Sequence, residues 1–217
     1  MERLTTAQRR CRILTGFAAA GIFIILAILV VTGTIQPLDD TIRSAIYAGR
    51  TDALTAFWRF ITFFGGHTAI LAVAAALLLI PATRWRIGIP AAACAVPGYV
   101  LYTLEKKFIA RPRPDAAVWL IQEHGFSFPS GHAMNSVICY GIVIYLIRRH
   151  CPNKTVANVL TVLLAVLILL IGLSRPYLGV HYPSDILGGW SMGIAWLCFA
   201  SFYLDALNLR LMKKHRL

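Results

Sequence analysis

The sequence contains few charged residues, and acidic ones are especially rare. Asp, Glu, Lys and Arg make up 14% of its 217 residues, and only nine residues are acidic. A soluble domain is typically about one quarter charged, so this composition excludes an ordinary soluble globular domain. Hydrophobic residues make up 58% of the chain, which indicates a bilayer protein. Because nothing divides the chain into two cores, we expect a single domain over residues 1–217.

Long uncharged runs account for this composition. Six segments are long and apolar enough to cross a bilayer, provided that the fourth begins near Pro129. We therefore predict an all-α integral membrane protein that forms a bundle of six transmembrane helices. No signal-cleavage pattern follows the first run, so we expect it to be retained as a span. The predicted spans are approximately 13–31, 60–80, 87–107, 129–147, 155–173 and 184–204.

The positions of the basic residues explain most of the net charge of +12. Thirteen of the 21 basic residues lie in segments that a six-span topology puts on one side of the membrane. By the positive-inside rule this side is cytoplasmic, so both termini are expected there. The charge then requires no nucleic acid as a partner. The thirteen residues are Arg3, Arg9, Arg10, Arg12, Arg84, Arg86, Arg148, Arg149, Lys154, Arg210, Lys213, Lys214 and Arg216.

The opposite, outer face lacks cysteine but carries eight basic residues. All five cysteines fall in predicted spans or cytoplasmic flanks, so we predict no structural disulfide and no thiolate metal cluster. The topology rule does not favour basic residues on this face, so they need another explanation. They are Arg43, Arg50, Arg59, Lys106, Lys107, Arg111, Arg113 and Arg175. Residues 38–59 predict a short amphipathic helix at the membrane interface, which we interpret as a shelf in preference to a catalytic part.

The first of three motifs on the outer face is KKFIARPRP, from Lys106 to Pro114. Lys106 should lie at the end of span three, while the prolines put Arg113 in the following loop. Two cations fixed at a membrane surface can hold an anion between them. An anchor for lipid headgroups is the alternative.

The second motif is PSGH, from Pro129 to His132. Proline suits the first turn of a helix, so span four should begin here with its free N–H groups at the outer mouth. Such a helix start binds phosphate. Gly131 lets an anion approach the backbone, Ser130 adds a hydroxyl, and His132 can carry a proton near neutral pH. The alternative is an ordinary helix cap with an incidental histidine.

The third motif is SRPYLGVHYPSD, from Ser174 to Asp185. Arg175 ends span five, and span six begins near Pro183. A carboxylate at Asp185 can accept a hydrogen bond from one nitrogen of His181, fix its tautomer and leave the other nitrogen free as a nucleophile. A buried pair that only holds the loop is the alternative.

These motifs together predict a phosphoryl-transfer site. On one face they combine three cations, a helix N-terminus, a hydroxyl, two histidines and one carboxylate. We find no obvious cluster of metal ligands, so we expect neither a metal nor a cofactor. The cations can neutralise the phosphoryl oxygens themselves, because phosphoryl transfer depends mainly on positioning and electrostatics.

The sequence resembles the membrane-bound type 2 phosphatidic acid phosphatase family, whose signature is K-x6-R-P, P-S-G-H and S-R-x5-H-x3-D. Every signature position is matched, from Lys106 to Asp185. In detail the sequence is most similar to bacterial phosphatases of the phosphatidylglycerophosphatase B and undecaprenyl-pyrophosphate phosphatase kind. The resemblance implies that His181 attacks phosphorus, oriented by Asp185, and that His132 acts as acid and then base. It assigns phosphate binding to Lys106, Arg113, Ser130, Gly131 and Arg175.

We therefore expect a phosphatase of the bacterial plasma membrane with its active site on the outer face. Its expected substrate is a lipid phosphomonoester or pyrophosphate, with undecaprenyl pyrophosphate, phosphatidylglycerophosphate and phosphatidate as candidates. A lipid phosphotransferase would use the same phosphohistidine but pass the phosphoryl group to a lipid acceptor. A non-enzymatic lipid or anion carrier is a further alternative, and it would not need the two histidines.

Overall fold

The computed structural model describes residues 5–215, without the side chains of Ala82, Arg86, Ile87 and residues 206–215. Within this range every regular element is helical, which confirms the predicted all-α class. Of the basic residues assigned to the cytoplasmic side, two lie outside the described chain (Arg3 and Arg216), and four more have side chains outside it (Arg86, Arg210, Lys213 and Lys214).

Nine α-helices and two short irregular turns make up this part of the chain. A π-helical turn, Arg84–Gly88, precedes α6, and a 3-10 turn, Ala116–Val118, lies in the loop after it. Five of the predicted spans each overlap one helix, although α1 begins seven residues before its predicted span and α9 continues eleven residues past its own. The helices are α1 Thr6–Val31, α2 Gln36–Ala48, α3 Asp52–Phe63, α4 His67–Leu79, α5 Pro81–Thr83, α6 Ile89–Ile109, α7 Gly131–His150, α8 Lys154–Tyr177 and α9 Pro183–His215.

The second predicted span, residues 60–80, falls on two helices and not on one. α3 ends at Phe63 and α4 starts at His67, with an angle of 42° between their axes. Two adjacent glycines lie at this break, and glycine is a poor helix former. The Tyr140 hydroxyl of α7 donates a hydrogen bond of 2.6 Å to the Phe64 carbonyl. The side chain of another helix thus satisfies a carbonyl that the break leaves free.

The prediction of a single interfacial helix over residues 38–59 is wrong. α2 ends at Ala48 and α3 begins at Asp52, with Thr51 as its N-cap. Between them, Arg50 donates hydrogen bonds to the Tyr177 carbonyl from Nη2 (2.7 Å) and to the Val118 carbonyl from Nη1 (3.0 Å). The turn between the helices is therefore bound to the loops that follow α8 and α6.

Within the described residues, three helices are long and apolar enough to cross a membrane: α1, α8 and the Pro183–Asp205 part of α9. The bent pair of α3 and α4 would make a fourth span. α1 and α8 expose large apolar side chains, and Phe17, Ile25 and Val162 are each more than half exposed. Such surfaces are rare on soluble monomers and suit contact with lipid. That α6 and α7 also cross, which would give six spans, is our proposal.

α7 lies at the centre of the bundle, where it packs against α6, α8 and α9. Met134, Ile138 and Ile142 of α7 are almost completely buried. α7 and α9 pack so closely that a Cβ atom added at Gly189 would lie 2.7 Å from the Ser130 carbonyl oxygen, and one added at Gly193 would lie 2.8 Å from Val137. Close helix packing therefore explains these glycines.

Charged residues at the two ends of the bundle separate into two groups. At one end, Asp205 of α9 accepts ion pairs from Arg12 of α1 at 3.2 Å and from Arg149 of α7 at 2.8 Å. The end of α6, the start of α7, the end of α8 and the start of α9 carry the three motifs at the other end. The residues of the three predicted loops therefore meet at one end of the helices.

We predict that the end with Arg12 and Arg149 is cytoplasmic and that the end with the three motifs is external, because the basic residues are biased in this way. In a cysteine-free background, Asp115→Cys should react with a membrane-impermeant thiol reagent in intact cells. Arg84→Cys, the matched control, should react only after the membrane is permeabilised. Labelling of the Asp115 position solely from the cytoplasm would overturn this topology.

Candidate active site

A histidine and an aspartate from the third motif form the buried base of the site. His181 lies in the loop between α8 and α9, and Asp185 lies in the first turn of α9. Nδ1 of His181 lies 3.1 Å from Oδ2 of Asp185, and both side chains are at most 1% exposed. The sequence-predicted contact between these two residues is therefore present. Oδ2 of Asp185 also accepts hydrogen bonds from the Tyr182 N–H, at 2.8 Å, and from the Ser127 hydroxyl.

The other ring nitrogen of His181, Nε2, is unprotonated. Nε2 lies 3.1 Å from Nη1 of Arg113, and a guanidinium can only donate. Nε2 is therefore the acceptor, and the ring proton is on Nδ1. Burial, followed by the guanidiniums of Arg113 and Arg175, lowers the pKa of His181 well below the ordinary value of 6.5. The ring is neutral at neutral pH, and it would gain a proton only as the pH falls below that value.

His181 also lines a cavity of about 290 Å³. Five residues of the predicted site line it: Lys106, Arg113, Gly131, His132 and His181. Lys106 lies in the last turn of α6, as expected, and its Nζ donates a hydrogen bond of 2.9 Å to the Tyr102 hydroxyl. Motifs that lie far apart in sequence therefore meet around one cavity. Its other lining residues are Gly65, His67, Tyr102, Glu123, His124 and Asn135.

Arg113 lies in the loop after α6, where it binds several carbonyl groups besides lining the cavity. Nε donates to the Gly125 carbonyl at 3.0 Å, Nη1 to the Val180 carbonyl at 2.8 Å, and Nη2 to the His124 carbonyl at 2.9 Å. The guanidinium therefore fixes the loop after α6 to the loop after α8. The motif alone did not indicate that Arg113 holds these two loops together.

The PSGH motif forms the start of α7, as predicted. Ser130 is the N-cap, and its hydroxyl accepts a hydrogen bond of 3.5 Å from the Ala133 N–H. Ser130 is fully buried and is not among the described residues that line the cavity. A Cβ atom at Gly131 would lie 2.5 Å from the Tyr102 hydroxyl oxygen. In the structure the need for glycine thus comes from Tyr102, whereas the sequence suggested the approach of an anion.

Arg175 is completely buried in the last turn of α8. Its Nη1 donates a hydrogen bond of 2.6 Å to the Thr62 hydroxyl, and its Nη2 contacts the Glu123 carboxylate. Nε has no hydrogen-bond partner among the described residues. A buried donor without a partner is uncommon, and Arg175 is not among the described residues that line the cavity.

Glu123 is the residue of the site that the sequence reasoning missed most clearly. One oxygen contacts Arg175, and the other lies 3.4 Å from Nη2 of Arg113. His132 is nearby, with Nδ1 4.0 Å from the carboxylate. The carboxylate thus bridges two cations that were predicted to bind phosphate. Its only signal in the sequence is an acidic residue in the loop between the first two motifs.

Two further buried charges were missed as members of the site. Arg111 donates a hydrogen bond of 2.7 Å from Nη1 to Oδ1 of Asp185, and its Nη2 lies 2.8 Å from Oδ2 of Asp39. Asp39 belongs to α2, which we had interpreted as an interfacial shelf. That interpretation does not hold for Asp39, which is 1% exposed. The excess of basic residues on this face was the available signal.

The side chains of the described site do not form an evident metal site. Within the described part of the chain, no group of three or more His, Cys, Asp or Glu side chains is arranged to hold a metal ion. The cavity lining instead combines two cations, four imidazoles and one carboxylate.

Comparison with known proteins identifies the family of this site. A profile of the PAP2 superfamily matches residues 88–208, more than half of the chain. The chain belongs to the PAP2 superfamily. It is 33% identical over 176 residues to phosphatidylglycerophosphatase B of Bacillus subtilis, a match that covers 79% of this chain and 86% of the relative. The undecaprenyl-diphosphatase of Sulfolobus acidocaldarius is 30% identical over 152 residues, covering 68% of each chain.

A solved structure supports the same conclusion. The crystal structure of a transmembrane PAP2-type phosphatidylglycerolphosphate phosphatase from Bacillus subtilis superposes with a TM-score of 0.79. The two chains are 28% identical, and the match covers 88% of this chain and 96% of the other. The resemblance inferred from the three motifs is confirmed. This member of the PAP2 superfamily is a phosphoric ester hydrolase with the fold of that membrane phosphatase.

Proposed function

We propose that this PAP2 protein hydrolyses a lipid phosphomonoester or pyrophosphate through a phosphohistidine at His181. The observation that carries the proposal is the orientation of the His181 ring. Nδ1 is held by Asp185 at 3.1 Å, and Nε2 lies 3.1 Å from Nη1 of Arg113, which lines the cavity together with His181 and Lys106. The unprotonated nitrogen of this neutral imidazole can attack phosphorus once the Arg113 guanidinium binds the phosphoryl oxygens in its place.

In the first step, Nε2 of His181 forms a bond to phosphorus, and the bond from phosphorus to the leaving oxygen breaks. Lys106, Arg113 and Arg175 stabilise the phosphoryl oxygens, whose negative charge is the main electrostatic demand of the reaction. Gly131 lines the cavity at the start of α7, so its backbone N–H adds a donor there, and the N-cap Ser130 holds that first turn in place. Asp185 stabilises the positive charge that His181 acquires.

In the second step, water attacks the phosphohistidine. His132 first gives a proton to the leaving oxygen and is then able to take one from the attacking water. The phosphorus–nitrogen bond breaks, inorganic phosphate leaves, and His181 returns to its neutral form. Because each proton given in the first step is recovered in the second, the cycle consumes only substrate and water.

Hydrolysis is preferred to transfer because the relatives are named as phosphatases. A phosphotransferase would use the same phosphohistidine but would deliver the phosphoryl group to a lipid hydroxyl. Free inorganic phosphate as the product separates the two reactions. Membership of the PAP2 superfamily argues against a non-enzymatic carrier.

A lipid substrate is favoured by where the site lies in the bundle. The cavity is at the ends of helices whose outer surfaces suit contact with lipid, so a substrate can reach it while its tail stays in the bilayer. The relatives are named for phosphatidylglycerophosphate and undecaprenyl diphosphate. These two and phosphatidate are therefore the candidate substrates, and the expected setting is a bacterial plasma membrane.

The proposal is tested by phosphate release from a panel of purified lipid phosphates and pyrophosphates in one detergent. We expect a clearly higher kcat/KM for a long-tailed lipid than for its short-tailed analogue or for glucose 6-phosphate. The same activity should persist in EDTA, because Lys106, Arg113 and Arg175 neutralise the phosphoryl oxygens. His181→Ala is the negative control. Equal efficiency with glucose 6-phosphate would overturn the lipid assignment, and loss in EDTA with recovery on adding one metal would overturn metal independence.

A further inference from the structure

We propose that Asp39 and Arg111 are positioning residues for the histidine nucleophile, which they control through Asp185. The two residues form a buried chain that runs from α2, through the loop after α6, to the first turn of α9. This inference rests on the proposed function, because it takes His181 as the group that attacks phosphorus. It assigns a role in the reaction to α2, a helix outside all three motifs.

The inner link of this chain joins Arg111 to Asp185. Nη1 of Arg111 donates to Oδ1 of Asp185 at 2.7 Å, and the side chains are 6% and 0% exposed. The other carboxylate oxygen accepts bonds from the Tyr182 N–H and the Ser127 hydroxyl and faces His181. Since both oxygens are held by fixed donors, the carboxylate has little freedom to rotate. Arg111 thus sets the direction from which Asp185 meets the His181 ring.

The outer link joins Asp39 to Arg111 and to the start of α9. Oδ2 of Asp39 accepts a bond of 2.8 Å from Nη2 of Arg111 and one of 2.5 Å from the Ser184 hydroxyl. Oδ1 accepts a bond of 2.9 Å from the Ser184 N–H. Ser184 immediately precedes Asp185. A carboxylate at a helix N-terminus is favourably placed. Asp39 therefore holds both the Arg111 guanidinium and the first turn of α9, which contains Asp185.

The position of Arg111 is restrained further by two other contacts. Its guanidinium carbon lies 3.8 Å from the ring centroid of Tyr182, and Nη2 also donates to the Gln36 side-chain oxygen at 2.8 Å. A stacked guanidinium that donates to the side chains of Asp185, Asp39 and Gln36 is strongly oriented. Such a group can hold a second charge in a defined geometry.

Charge balance explains why the chain should affect the reaction. Removing the cation would leave the buried carboxylates of Asp39 and Asp185 close together without compensation, a costly arrangement that favours protonation of one of them. A neutral or reoriented Asp185 would stabilise the imidazolium of His181 less well. Neither Asp39 nor Arg111 is among the described residues that line the cavity. The expected effect is therefore on kcat, with KM nearly unchanged.

The test is a double-mutant cycle in the full-length, detergent-purified protein. Loss of an outer partner that orients a reacting group typically costs about 10-fold to 100-fold, so we expect kcat of Arg111→Gln to fall by about 100-fold and that of Asp39→Asn by about 10-fold. If Asp39 acts through Arg111, the double variant should be no slower than Arg111→Gln alone. Arg111→Lys, which retains the cation, should recover part of the loss.

The matched control is Asp52→Asn, the same change at the first residue of α3. Asp52 is exposed, so kcat should stay at the wild-type value. Thermal unfolding of each variant in detergent identifies any that fail to fold. If Arg111→Gln fails, Asp39→Asn and Arg111→Lys still decide the question. Multiplicative losses in the double variant, or a raised KM with unchanged kcat, would overturn the proposal.

Rapid quench with labelled substrate separates this proposal from the mechanism on which it rests. Slow formation of phosphoenzyme in Arg111→Gln, with normal substrate binding, is the expected result. If the wild type forms phosphoenzyme but Arg111→Gln forms it equally fast, only the positioning role is wrong. If the wild type forms none and His181→Ala remains active, the proposed mechanism itself is wrong.

Discussion

Replacing His181 with alanine is expected to abolish both turnover and the covalent intermediate. The variant lacks the nitrogen that we propose to attack phosphorus. Among the other described histidines that line the cavity, His132 lies near a carboxylate, but its Nδ1 is 4.0 Å from Glu123. In enzymes with a covalent intermediate, loss of the nucleophile or its partner base lowers kcat by on the order of 10⁶-fold. We therefore expect activity to fall to the limit of detection, while the affinity for substrate, set mainly by the cations, changes little.

The measurement is rapid quench with a substrate labelled in its phosphoryl group. Wild-type protein should show an acid-labile label that forms and decays during one turnover, and His181→Ala should show none. His124→Ala is the matched control, since His124 lines the same cavity but has no assigned role. It should label normally. Acid-labile labelling of the His181→Ala protein would show that another residue is the nucleophile.

The parts of the site that the sequence predicted are those that local rules determine. Proline and serine before Gly131 predict the start of α7, and Pro183 predicts the start of α9. A histidine four residues before an aspartate at a helix start can reach it, so the contact between His181 and Asp185 followed from spacing. Lys106 at the end of α6 followed from the two prolines downstream.

What the sequence could not predict depends on how separate segments meet. We interpreted residues 38–59 as an interfacial shelf, yet Asp39 is buried because Arg111 and Ser184 approach it from other elements. Glu123 joins the site only because its loop folds over Arg113 and Arg175. Contacts of this kind leave no periodic signal in the chain.

The unexplained basic residues of the outer face have a similar explanation. Arg50 binds the Tyr177 carbonyl, and Arg59 donates a bond of 2.6 Å to the Leu120 carbonyl. Both restrain loops that surround the site. Charge counting identified these residues as an excess, but only the three-dimensional structure gives their partners.

Replacing His132 with alanine is expected to slow both chemical steps without removing the nucleophile. Loss of a general acid–base group typically costs about 10²–10⁴ in rate. His132 lines the cavity from the start of α7, whereas His181 lines it from the loop between α8 and α9. Nδ1 of His132 lies 4.0 Å from the Glu123 carboxylate. The variant should still bind substrate and should still form phosphoenzyme, but slowly.

The leaving group provides the decisive comparison for His132. A nitrophenyl ester of the phosphate needs little protonation on departure, so the variant should form phosphoenzyme from it at close to the wild-type rate. Hydrolysis would remain slow because water still lacks its base, and the phosphoenzyme should therefore accumulate in His132→Ala but not in wild type. His67→Ala, which removes another imidazole from the cavity lining, is the control and should not accumulate it. A uniform loss with both esters and no accumulation would mean that His132 positions the phosphate and does not transfer protons.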